Sequence, residues 1–368
     1  MRQNWWKFLG IALLIYTVVV GMSTPLKPGV LRIDPLTIGQ NGNDSLRITH
    51  GETHKFRVKG YNTNFADNDN TAWLKLDSIG AVKANKINIV NDTEIDLTFD
   101  IPNHFPLRDT FESLTLVLNN KEDGTAILPD AVFVKSDLSI INNNAEWEVN
   151  PIANLEDKPG MQFPYRSVLH ETIRNTFFHI PLWFSMFILL IVSLVYSVKY
   201  LRSGNLQHDI YASSLVNVAV LFGILGIITG SLWAKYTWGT FWTTDVKLNM
   251  STVAMLIYVA SLILRSSIND IDRRAKLSAS YNIFAFAALI PLVFIIPRLT
   301  DSLHPGNGGN PALGGEDMEN TLRMVFYPAI IGFTLLGLWM SSVLIRYEVI
   351  KDKWMSGGKQ RNGLKKLR

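Results

Sequence analysis

The sequence predicts a mainly α membrane protein, a six-helix transmembrane bundle with an immunoglobulin-like β-sandwich inserted after its first helix. Three observations predict it. Five apolar runs fill the second half of the chain, at about residues 180–198, 212–233, 248–264, 281–297 and 326–345, each near the ~20 residues that a helix needs to cross a bilayer. A sixth run lies at the N-terminus. Between it and the second, residues 25–164 turn polar and alternate apolar with polar side chains at period two, the mark of half-buried strands.

The first run, within residues 1–24, follows a short basic start (Arg2, Lys7) and includes Trp5 and Trp6. A cleaved signal peptide has the same shape, but no A-x-A site follows it, so a retained first helix is expected. The alternation in the insert is carried by Leu46/Ile48, Phe56/Val58, Leu74/Leu76, Ile87/Ile89, Ile95/Leu97/Phe99/Ile101 and Leu114/Leu116/Leu118. The turn signals Asn41-Gly42 and Asp123-Gly124 bound this stretch. Some seven short strands over such a length fit a sandwich. His50 and His54 lack a third ligand nearby and are expected to be ordinary histidines flanking a turn.

Residues 165–346 hold the remaining five spans, and charge orients them. Lys199 and Arg202, then Arg265, Arg273, Arg274 and Lys276, then the basic tail 347–368 all fall on one side of a six-helix count, together with the N-terminus. The positive-inside rule makes that side cytoplasmic, N-in and C-in, and puts the insert and two other loops outside. Gly223, Gly226 and Gly230 have the spacing of close helix packing. The basic tail is suited to anionic lipid heads. With no cysteine, the chain has no disulfide framework, thiolate metal site or C-x-x-C-H heme attachment. It has no P-loop and no basic aromatic patch for nucleic acid.

One outer loop is unusual. Trp233, Tyr236, Trp238, Phe241 and Trp242 crowd into ten residues, with Gly239 among them and Asp245 just beyond. That is more aromatic surface than a membrane-boundary belt requires, and it suits a flat ligand. His179, ahead of Pro181 at the outer mouth of the second helix, and His304, just past the fifth, fall on the same side at the same depth. Two such imidazoles suit the two axial positions of a heme iron. Arg174, Lys235, Lys247, Arg298 and Arg323 are the outward cations available to its propionates, although Arg174 and Arg323 would serve equally as lipid-facing anchors.

The run from Trp238 to Leu248, WGTFWTTDVKL, resembles the tryptophan-rich WWD signature of heme-handling proteins, most closely the CcmC family of cytochrome c maturation. The six-helix layout, with histidines before the second and after the fifth helix, is similar too. The resemblance covers residues 1–24 and 165–346. It implies that His179 and His304 are the axial ligands of heme b. It further implies that Trp238, Gly239, Phe241, Trp242 and Asp245 belong to the signature loop, and that Arg174 and Lys247 are basic positions near the heme. The chain departs from the pattern at Thr244, where Trp is usual, at Lys247, where Arg is usual, and in carrying the insert. The resemblance implies a protein of the bacterial inner membrane, not an enzyme, that presents heme on the periplasmic face to a chaperone of the CcmE type, with ABC-transporter subunits as the source of energy. Alternatives are a cytochrome c synthase component of the CcsA type, a b-type membrane cytochrome, and an adhesion module worked by the sandwich.

Overall fold

The computed structural model describes residues 4–36, 46–66, 69–76, 80–102, 111–135, 152–158, 160–304, 314 and 318–365. Asn41-Gly42, His104, Gly306, Gly308, Gly309 and Gly315 lie outside them. The chain divides into two compact units, Thr24–His170 and, from two separate stretches, Met1–Ser23 with Glu171–Arg368.

The first unit is built of strands. Nine are found among the described residues: β1 (Gly29–Pro35), β2 (Arg47–Ile48), β3 (Thr53–Tyr61), β4 (Thr71–Leu76), β5 (Gly80–Lys83), β6 (Lys86–Asn91), β7 (Glu94–Asp100), β8 (Phe111–Asn120) and β9 (Gly124–Lys135). They form two sheets, ordered β1-β3-β7-β6 and β2-β9-β8-β4-β5. All pairs are antiparallel except β2 with β9. The alternating residues become the inner faces. Phe56 and Val58 lie opposite Leu97 and Ile95, and they share one core with Leu74, Leu114, Leu116 and Val132 of the other sheet. Ile89 departs from the expected alternation and is 40% exposed. It lies on β6, the edge strand among the described residues, next to an irregularity in the pairing with β7. The Asp123-Gly124 signal does mark a hairpin, with Gly124 at φ 76°. A Cβ there would come within 2.8 Å of the Lys158 nitrogen. The two ends of the insert are joined to each other: Leu26 bridges Phe163, with Lys27 N–H donating to Phe163 O at 2.8 Å and Phe163 N–H to Pro25 O at 2.9 Å.

The second unit is helical. Its six long helices are α1 (Trp5–Ser23), α2 (His179–Ser203), α3 (Leu206–Trp238), α4 (Val246–Ser266), α5 (Ile271–Ile290) and α6 (Asn320–Lys365). All six lie in helical segments long and apolar enough to cross a membrane. A 3-10 stretch, His170–Phe177, leads into α2, and a π turn, Pro291–Ile295, continues α5. Three helices outrun their apolar cores. α3 starts at Leu206 and so includes His208. α5 starts at Ile271, so Arg273, Arg274 and Lys276 occupy its first turns instead of a loop. α6 continues through the basic tail to Lys365. Caps explain the early starts: Asn205 accepts from Gln207 N–H, and Asp270 from Arg273 N–H.

α2 packs against α3, α5 and α6, while α1 lies along α6. Small residues set the α2–α3 contact. A Cβ on Gly226 would come within 2.8 Å of the Trp183 ring, and one on Gly223 would strike Met255 of α4. The glycine spacing is therefore close packing, as expected. Four helices also share a polar junction at the opposite end of the bundle from His179. Arg265 of α4 makes a two-pronged pair with Asp209 of α3 at 2.7 and 2.8 Å, and Asn282 of α5 donates to Ser193 and Ser197 of α2, both at 2.9 Å. Polar side chains within spans pair with one another in this way because lipid offers them no partner.

Candidate functional site

Antiparallel passage of α2 to α6 brings the start of α2, the end of α3, the start of α4 and the end of α5 to one end of the bundle. His179 opens α2. Its Nδ1 lies 3.0 Å from Gly226 O and 3.1 Å from the Thr229 hydroxyl, both on α3. A carbonyl can only accept, so Nδ1 carries the proton and Nε2 keeps its lone pair. Room for the ring comes from Gly230, where a Cβ would sit 2.6 Å from His179 Cε1. Trp233 and Trp183 meet the imidazole edge-on, with ring centres 5.8 and 6.3 Å away. Trp233 is itself fixed by its indole N–H, which donates to Thr172 at 3.1 Å, and Asn175 donates to Thr229 O at 3.0 Å.

His304 follows α5. Its Nδ1 lies 2.9 Å from Asp245 Oδ1, and Trp238 stands edge-on to it with ring centres 4.9 Å apart. Asp245 is also the N-cap of α4, accepting from the Lys247 and Leu248 N–H groups, and its Oδ2 takes the Leu303 N–H at 2.7 Å. One carboxylate thus ends the aromatic loop, starts α4 and holds the loop that carries His304. Burial pushes the Asp245 carboxyl up, but bonds from Ser302 and Leu303 and the nearby His304 outweigh it, so the group is held below the usual carboxylate range. Burial pushes His304 down, Asp245 pulls it up, and the Lys247 ammonium pushes it down again; the net shift is downward, favouring the neutral ring. An ionised Asp245 fixes the tautomer, with Nδ1–H toward the carboxylate and the Nε2 lone pair unprotonated.

Both imidazoles meet the same end of α3, His179 at Trp233 and His304 at Trp238, and no hydrogen bond engages either Nε2 among the described residues. Two neutral rings, each anchored through Nδ1 by an oxygen and flanked by indoles, are a donor set suited to an iron porphyrin.

The structure joins Trp238 and Asp245 directly to His304, and Lys247 acts on it through its charge and donates its backbone N–H to the same Asp245. Trp238 is the last residue of α3, and Gly239 caps that helix at φ 81°, a conformation favouring glycine, with its N–H on Lys235 O. Phe241 and Trp242 line the adjoining loop, 55% and 41% exposed. The Phe241 carbonyl accepts from Ser231 at 2.8 Å, and the Trp242 indole donates to Asn249 at 3.2 Å. Arg174 goes elsewhere: it pairs with Glu171 and donates to Gly21 O of α1 at 2.8 Å. Sequence reasoning missed Thr229 and the Gly226 carbonyl as partners of His179, and Gly230 as the space for its ring. Their shared face on α3, at i, i+3 and i+4, was the available signal.

Fold and site together define a multi-span membrane protein with a histidine pair set against tryptophans at one end of its bundle. The chain belongs to the heme exporter protein C (CcmC) family, whose model matches residues 163–358, making it a transmembrane heme-handling protein of the cytochrome c maturation type. It is 26% identical over 187 residues to heme exporter protein C of Bradyrhizobium diazoefficiens, covering 50% of this chain and 68% of that protein. The counterpart in Haemophilus influenzae is 26% identical over 168 residues, covering 46% of this chain and 65% of that one. Cytochrome c biogenesis protein CcsA of Pelargonium hortorum is 32% identical over 94 residues, 25% of this chain and 30% of that protein. The family match leaves α1 and almost all of the strand unit outside it.

Proposed function

We propose that this protein binds heme b between His179 and His304 on the periplasmic face of the bacterial inner membrane and presents it to a heme chaperone of the CcmE type. The observation that carries this reading is the pair of Nδ1-anchored imidazoles, neither Nε2 bonded among the described residues, set against Trp183, Trp233 and Trp238. Heme is the cargo and supplies the iron that the two rings hold. The chain's own work is to bind, orient and release it, with no bond made or broken by a catalytic group, so it is not an enzyme. Asp245 and Thr229 fix the ring tautomers, and the exposed faces of Phe241 and Trp242 offer the porphyrin an apolar edge. Lys247, whose charge acts on His304, suits a propionate, and Arg174, paired with Glu171, is the second basic candidate.

The N-in, C-in orientation rests on the clustered cations, and it places the strand unit in the periplasm. The immunoglobulin-like reading of that unit is supported by its strand order. One sheet runs as A-B-E-D, and the other adds a short first-strand segment parallel to G and a C′ strand to G-F-C. ABC-transporter subunits would supply energy, and the basic end of α6 would meet lipid heads.

The test is an absorption spectrum of the purified protein. The Soret band should be present in the wild type and lost in His179→Ala and in His304→Ala; an unchanged spectrum in both variants removes the ligand assignment. The similarity to CcsA favours a second reading, in which this chain completes heme attachment itself. Covalent heme on apocytochrome c, formed by this protein without a chaperone, would decide for it.

A further inference from the structure

The two imidazoles are anchored by partners of different charge. His304 donates Nδ1–H to Asp245, whose side chain is only 1% exposed, at 2.9 Å. The partners of His179 are both neutral: Gly226 O at 3.0 Å and the Thr229 hydroxyl at 3.1 Å. That hydroxyl spends its own proton on α3 backbone, lying 2.9 Å from Leu225 O, so it too can only accept from the ring. An imidazole whose N–H points at a carboxylate is more electron-rich at its other nitrogen, and a more basic metal ligand, than one whose N–H points at a carbonyl. Burial of the pair strengthens the effect, because little solvent screens the carboxylate.

Resting on the heme reading above, we propose that the two ligands are unequal: His304, backed by Asp245, is the retained one, and His179, backed by Gly226 and Thr229, is the one that gives way first when the iron accepts an incoming ligand. Asp245 and Thr229 are then positioning residues that make transfer directional. They leave His304 holding the iron while the position of His179 opens to a ligand from the acceptor.

The experiment uses the full chain in detergent, loaded with heme and reduced, with carbon monoxide as the incoming ligand. Carbon monoxide replaces the weaker histidine, and photodissociation then leaves iron bound to the remaining one, whose iron–histidine stretch is read by resonance Raman scattering. Asp245→Asn keeps the side-chain cap on α4, since Asn caps as well as Asp, but makes the partner of His304 neutral. The stretch should move to lower frequency in Asp245→Asn and stay in place in Thr229→Val. A stretch that moves in Thr229→Val and not in Asp245→Asn would show that His179 is the retained ligand and overturn the inference alone. A stretch that moves in neither variant would also overturn it. If wild-type protein gives no iron–histidine stretch at all, the heme reading falls, and this inference with it.

Discussion

The strand unit and the helical unit solve the packing problem in opposite ways. In the strand unit, bulk is inside: Phe56, Phe99, Leu97, Leu74 and Leu114 are all 2% exposed or less. In the helical unit much of the bulk points outward, with Leu256, Ile263 and Phe284 each more than 60% exposed, while Ala219, Ser185, Ser193 and Ser197 are fully buried. Water expels apolar surface, so a domain in water gains most from enclosing large side chains. Lipid tails are as apolar as leucine, so helices gain from close approach through small residues and from hydrogen bonds that the tails cannot provide. The difference teaches where each unit is vulnerable: the first to the removal of atoms, the second to their addition and to the loss of a polar partner.

The largest effect expected from breaking this contrast is in the strand core. Phe99→Ala should cost about 3–5 kcal/mol through lost burial and the cavity left behind. It should be seen as faster amide exchange across β3 and β7 in the full chain, with helix content unchanged. Next comes the polar junction. Arg265→Met leaves Asp209 buried without its partner, a loss of about 3 kcal/mol in a closed environment. Helicity should fall at a lower SDS fraction, and adding Asp209→Leu should recover most of the loss. If the single and double variants unfold alike, the ion pair is not what the junction depends on. Smaller again is Gly230→Val, where added atoms meet the His179 ring. Overpacking of this kind costs about 1–3 kcal/mol, and the heme absorption should weaken more than the SDS midpoint moves.

The sequence carries most of the two architectures because each is written locally. The spans appear as continuous apolar runs. The strands appear as alternation, with Ile95, Leu97 and Phe99 every second residue along β7. What it does not carry are partnerships made across the chain. Asp245 is visible as the end of an aromatic loop, but its bond to His304 spans 59 positions. Nothing local distinguishes a cap from a histidine anchor, and here it is both. Thr229 and Gly230 look like helix-packing residues, and they are, yet His179 is what packs there. Arg174 shows the reverse: its type and depth suit a propionate, whereas Glu171 and the Gly21 carbonyl already hold it. Charge sets what a side chain can bind, and geometry sets which of the candidates it meets.

The smallest expected effect sharpens the comparison from the side of the solvent. His54, in the strand unit, takes the Thr49 N–H on Nε2 at 3.0 Å, so the native ring is neutral. Burial holds its pKa below the usual histidine value, against the opposing pull of Glu52, 3.9 Å away. In the unfolded chain the ring recovers its ordinary pKa near 6.5 and takes up its proton first as the pH falls. The unfolded state therefore binds more protons over that interval, and stability must fall with pH there. The contribution is complete above the unfolded value and declines as the pH drops through the lower, folded one. Protonation also costs the bond to Thr49, worth about 1 kcal/mol. Amide exchange in β3, compared at pH 7.5 and pH 5 after correction for the intrinsic rate, should show this loss in the wild type and a flatter dependence in His54→Gln. An equal slope in both proteins would place the acid sensitivity of the unit on its carboxylates. Asp96, held low by its bond from Arg57, would be the first to examine.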